Sequence, residues 1–168
     1  MQQSRVIPRP RSFACDLATL CAPTLAGLKP ASLFRYQPAP GQDAAAMAAA
    51  WHAELSPRGV TVRVLRQCPR TGAVLVYVYR PARVARLLAA PHMLDFLAGE
   101  GYTPGTADEL LDQLAERLCC EGDFPHEIGV FLGYPLSDVV GFIENSGRNF
   151  TCCGCWKAYG DPDAAARH

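Results

Sequence analysis

The groups in this chain that could carry chemistry are its cysteines, a His–Glu pair and several polar residues at element ends. Cys152 and Cys155 stand in C-x-x-C spacing within Cys152-Cys153-Gly154-Cys155. Thiolates so spaced can chelate one metal ion or exchange a disulfide. A closed metal site needs two more ligands. Cys15, Cys21, Cys119 and Cys120 offer thiols without diagnostic spacing, and His126 lies close in sequence to the last two. The competing reading is inert thiols filling a core, because free cysteine is among the most buried residue types. His126 and Glu127 are a candidate acid/base pair, but adjacent helical residues point in different directions. Glu127 in a first helical turn would equally complement the helix dipole. Lys29, Tyr79, Arg80, Tyr134, Asn145, Asn149 and Lys157 also fall near expected element ends. No G-x-S-x-G, P-loop, G-x-G-x-x-G or H-E-x-x-H is present, so hydrolase and nucleotide-binding chemistry lack positive evidence.

The elements that must hold these groups follow from periodicity and punctuation. Residues 14–22 have helical spacing that stops near Pro23. Residues 21–34 are expected to be a loop or broken helix, punctuated by Gly27 and Pro30. Asp43 caps an Ala-rich helix to about Leu55, with Met47, Trp51 and Leu55 on one face. Val60, Val62 and Val64 alternate with polar neighbours, and residues 73–80 are an apolar, β-branched and aromatic run. Together they predict a hairpin over about 60–80 whose second strand is covered on both faces. Helices follow at 82–90 and 91–98. A third runs over 107–119, opened by the capping box Thr106-Ala107-Asp108-Glu109. Asp123 or Phe124 caps the next helix, with Pro125 in its first turn and an end near Leu132. Residues 137–145 form another helix, closed by Gly147. A last strand is expected over about 150–159. The fold class is therefore α+β: a small antiparallel sheet, made of the hairpin and the C-terminal strand, packed with five to seven helices. Residues 1–13 are expected to be a loose basic arm, and 14–168 a single domain.

Composition narrows the class further. The chain has 168 residues, 49% of them hydrophobic, and a formal net charge of zero. That combination excludes a disordered chain. The zero is a sum of opposites. Residues 1–86 hold twelve basic against three acidic residues, or +9, and residues 87–168 hold four against thirteen, or −9. Such a split can mark a polyanion contact, but the blander reading is two halves folding against each other. Residues 127–143 have the spacing of a helix-turn-helix, with Gly133 at the turn. The second helix would offer Ser137, Asp138, Gly141 and Glu144 to a DNA groove, which repels phosphate. No nucleic-acid partner is expected. No apolar run is long enough to span a bilayer and no signal peptide is evident, so the expectation is a cytoplasmic protein without a membrane partner.

The segments CAPTLAGLKPASLF (21–34), VLR (64–66) with VLVYVYR (74–80), FPHEIGVFLGYPLSDVVGFIENSG (124–147) and CGCWKAYGD (153–161) resemble a family of uncharacterised bacterial proteins found largely in anaerobes. The resemblance spans about Cys21 to Asp161. It implies a cytoplasmic location and no established activity. The family pattern matches Cys21 and Cys153 but usually carries Tyr at the position of Cys155, which shifts interest from the C-x-x-C to a Cys21–Cys153 pair. It also usually continues past the final Gly-Asp with a helix carrying aromatics and a further Cys. Its neighbourhood of iron-uptake and flavodoxin genes points to iron, another thiophilic metal or redox cofactors. The first expectation is thus a small binding or accessory protein in iron, thiol or redox-cofactor metabolism. Cys21, Cys152, Cys153 and Cys155 would be metal or redox groups. Lys29, His126, Glu127, Tyr134, Asn145, Trp156 and Lys157 would line a small-molecule site. The alternatives are a protein–protein adaptor and an enzyme of unrecognised type using His126 or Glu127.

Overall fold

The computed structural model describes residues 12–118, 124–146 and 148, and the backbone of 152–153 and 157–158. Ser12 caps the first helix, α1 (Phe13–Leu20), its hydroxyl accepting from the Cys15 amide at 3.1 Å. A single turn, α2 (Ala22–Leu25), carries Pro23 in its first turn and leads through Gly27 into strand β1 (Ala31–Tyr36). Asp43 accepts from the amides of Ala45 and Ala46 and opens α3 (Ala44–Leu55). A 3-10 turn over Ser56–Arg58 ends at Gly59 in the left-handed region. Strands β2 (Thr61–Gln67) and β3 (Val74–Tyr79) then form the expected hairpin. Helices α4 (Pro81–Leu88), α5 (Pro91–Gly99) and α6 (Ala107–Arg117) follow. The Thr106–Glu109 capping box is present with both reciprocal bonds. A short α7 (Ile128–Phe131) and a longer α8 (Leu136–Asn145) come next, and two-residue strands β4 (Cys152–Cys153) and β5 (Lys157–Ala158) follow.

The α+β class holds, with two changes of composition in the sheet. Its third strand is β1, in the stretch expected to be loop or broken helix, and the sheet order is β1-β3-β2, all antiparallel. A buried central strand has two rows of backbone donors and acceptors to satisfy, and the hairpin partner serves one row. The residues of 31–36 serve the other, from Ala31 opposite Tyr79 to Tyr36 opposite Val74. The second change is at the C-terminus. Of the strand expected over 150–159, the described residues, 152–153 and 157–158, do not join this sheet. β4 and β5 pair with each other as a separate small hairpin, and β5 lies against α8. The helix expected from Asp123 or Phe124 to Leu132 is also shorter: only 128–131 is α-helical, and Asp123 lies outside the described residues. Gly147 lies outside them too, and Ser146 takes the left-handed position at the end of α8. The expected arm is largely outside as well, except that Phe13 opens α1 and is buried.

Helices cover both faces of the sheet. All six residues of β3 are buried. Val74, Val76 and Val78 face Phe13, Leu17, Ala44 and Ala48 from α1 and α3. Leu75, Tyr77 and Tyr79 face residues such as Val84, Leu88, Leu111 and Phe131 from α4 to α7. The second cluster draws on both the basic and the acidic part of the chain, so the charge halves share one core. Arg63 of β2 also pairs with Asp112 of α6 across that division. Among the described residues, no helix is long and apolar enough to cross a membrane.

Candidate functional site

The segment from Cys21 to Pro30 packs onto the turn at Gly133-Tyr134-Pro135, and it brings together three of the candidates, Lys29, Arg80 and Tyr134. Gly133 is at φ +83°, a conformation costly for a residue with Cβ. A Cβ there would sit 2.2 Å from Cγ of Pro30, so hydrogen is the only side chain the contact admits. Pro30 thereby holds Lys29 against Tyr134. Lys29 Nζ donates to the Tyr134 hydroxyl at 2.9 Å and lies 4.2 Å from the centroid of its ring. The ammonium therefore combines a hydrogen bond with a cation–π contact to one side chain.

Two arginines from the start of α4 brace the other side of this segment. Arg80 donates through Nε to the Thr24 carbonyl at 2.9 Å and through a terminal nitrogen to the Leu25 carbonyl at 2.7 Å. Arg83 donates to the Gly27 carbonyl. A helix as short as α2 leaves its last carbonyls few backbone donors; Thr24 accepts from the Gly27 amide at 3.1 Å, and Arg80 adds a donor there and one at Leu25. Beneath the loop, the hydroxyls of Thr24 and Ser32, both buried, share a hydrogen bond of 2.7 Å. Leu28 at the loop tip is 80% exposed.

Cys21 lies under the same loop as an unbridged thiol, fully buried. Burial pushes its pKa up to about 12, and the nearby Lys29 ammonium and Ser32 hydroxyl offset only part of that. The thiol is neutral near pH 7, which suits a packing role more than that of a nucleophile or metal ligand. Among the described residues, no group of three His, Cys, Asp or Glu side chains is placed to hold a metal ion. The side chains of Cys152, Cys153 and Lys157 lie outside the described residues, as do Cys155, Trp156 and Asn149 entirely. The Cys21–Cys153 pair therefore rests on the resemblance.

The remaining candidates do not converge on Lys29. Glu127 is 6% exposed, and its carboxylate accepts from the Tyr102 hydroxyl at 3.0 Å and pairs with Arg117 at 3.4 Å. Arg117 lies 3.8 Å from the centroid of the Tyr102 ring and donates to the Glu100 carbonyl. Burial and the adjacent Glu127 carboxylate push the Tyr102 phenol up. This cluster ties the 100–102 turn to the end of α6 and the start of α7. His126 points elsewhere, its ring edge-on to Phe142 at 5.1 Å. The two adjacent candidates, both in the turn before α7, thus diverge. The Asn145 amide donates back to the Gly141 carbonyl of its own helix. Tyr79 stacks on Tyr77 inside the core rather than facing the Lys29 loop.

Sequence reasoning named Lys29, Arg80 and Tyr134 but missed Pro30 and Gly133 as the pair that docks them, and Arg83 as the second brace. The signal for Gly133 was its place between an apolar helix and Tyr-Pro, where a chain reversal needs positive φ.

Residues 17–168 match the model of the protein family of unknown function DUF3793, so the chain belongs to that family. No curated protein and no solved structure matches it.

Proposed function

We propose that this DUF3793 member is a small binding or accessory protein in thiol or redox-cofactor metabolism, with its ligand seated where the Lys29 loop meets the Gly133 turn. The observation that carries the reading is the Lys29–Tyr134 hydrogen bond, formed between segments 105 residues apart. Half-buried polar groups brought together by such a long-range, glycine-dependent contact are costly to arrange for packing alone, and binding sites combine an apolar surround with a few fixed polar groups. The eight cysteines of the chain support the thiol and redox side of the reading. Iron would depend on Cys152, Cys153 and Cys155 rather than on the protonated Cys21. A cytoplasmic location belongs to the same proposal.

A protein–protein adaptor is the second reading, favoured by Leu28, whose side chain stands almost fully in solvent beside the same junction. The test is the full chain purified without oxygen, examined by metal analysis, visible absorbance and mass spectrometry of released small molecules. The expected result is a retained cofactor or small ligand that Tyr134→Ala loses. Colourless, metal-free protein with no released small molecule and every thiol titratable would overturn the binding reading.

A further inference from the structure

We infer that Lys29 and Tyr134 form an oxyanion subsite, which receives a carboxylate or phosphate group of a small ligand. This rests on the junction being the binding site and names the chemistry it recognises. Lys29 is half-buried, yet among the described residues it makes no ion pair with a carboxylate. An ammonium carries three N–H donors, and the bond to Tyr134 occupies one. A partly desolvated cation with spare donors and no counter-ion among the described residues gains most from an anionic acceptor, because charge-assisted hydrogen bonds are about twice as strong as neutral ones.

The surroundings favour the same sign. Arg80 and Arg83 donate to backbone carbonyls of a loop, residues 21–30, that contains no Asp or Glu, so the loop they brace does not cancel their charges. The cation is also held in place before any ligand arrives. Pro30 against Gly133 on one side and the arginine braces on the other fix the loop that carries Lys29. Such preorganisation lowers the entropic cost of binding. One ammonium beside one phenol suits a single oxyanion group. A polyanionic strand would call for a row of cations.

The experiment uses the full chain at constant ionic strength, titrated separately with inorganic phosphate and with succinate while the melting temperature is followed. Wild-type protein is expected to show saturable stabilisation by at least one probe, and the stronger of the two identifies the group. Lys29→Gln is expected to weaken that binding at least tenfold, whereas Lys29→Arg retains most of it. Arg86→Gln, an exposed change on α4, is expected to leave it unchanged. The melting temperature of each variant without probe reports whether it folds. If neither probe binds saturably, or if Lys29→Gln binds as well as wild type, the inference is overturned. A small molecule co-purifying with wild type and with Lys29→Gln alike overturns the subsite and leaves the binding reading standing. Probe binding through Lys29 in protein that retains no small molecule upholds the subsite and removes the cofactor reading.

Discussion

On one face of β3, Val74, Val76 and Val78 meet Phe13, Leu17 and the alanines of α3, all within the first half of the chain. On the other, Leu75, Tyr77 and Tyr79 meet helices drawn from Val84 to Val139. The valine face is aliphatic and aromatic, with few polar atoms to place. Phe13 packs edge-on to both Phe34 and Tyr36. The tyrosine face carries hydroxyls that must find acceptors. Tyr77 donates to the Phe131 carbonyl at the end of α7, and Tyr102 donates to Glu127. Hydrophobic area is tolerant of small shifts, while a buried hydroxyl has few acceptable positions. One face is therefore specified by volume and the other by polar pairing. Lys29 and Tyr134 extend the polar rule outward to the surface, where a ligand can reach it.

Gly133→Ala breaks this contrast most severely. The added methyl must displace Pro30 and adopt a positive φ, at a cost of about 3 kcal/mol from overpacking and backbone strain. Hydrogen exchange is expected to show lost protection around α7 and α8, with the β2–β3 hairpin and α3 much less affected. Equal loss on both faces would mean that they are not separable. A smaller effect sharpens the contrast. Tyr77→Phe leaves the buried Phe131 carbonyl without its donor and is expected to cost about 2 kcal/mol. Tyr36→Phe on the valine side removes a half-buried bond to Gln42 and is expected to cost under about 1 kcal/mol. Urea unfolding of the two variants measures the difference, and equal costs would refute the division.

The smallest effect concerns alkaline pH. Cys21 titrates at 9.0 in an unperturbed chain and near 12 when folded. Between those values the unfolded chain gives up the proton and the native protein keeps it, so stability falls as pH rises. The full slope is about 1.4 kcal/mol per pH unit for one group. Tyrosines, with an ordinary value of 10.0, join above that point. Cys21→Ala is therefore expected to flatten the decline between pH 9.0 and 10.0 by up to about 1 kcal/mol, measured by chemical unfolding across that interval. An unchanged decline would place the thiol in contact with solvent.

The valine face was largely legible in the sequence. Alternation at Val60, Val62 and Val64, the apolar run of β3 and the Asp43 cap all appear in the structure, because each is a local signal. The capping box at Thr106 is local as well. What escaped was settled by distant partners. Residues 31–36 carry weak alternation between loop punctuation marks and become a strand because β3 needs a second neighbour. Lys29 and Tyr134 were each identifiable as polar residues near element ends, but their pairing depends on a fit between Pro30 and Gly133 that no periodicity encodes. Glu127 looked like a helix-start residue or a base, and its buried partners Tyr102 and Arg117 come from two other elements.

The Pro30–Gly133 contact also has an evolutionary reading. Two positions that touch so closely cannot drift independently. A relative with a larger residue at the place of Gly133 must carry something smaller than proline at the place of Pro30, or must reroute the loop. Across DUF3793 sequences these two sites should therefore change together or not at all, and a lineage that has lost both should have lost the lysine–tyrosine pair with them.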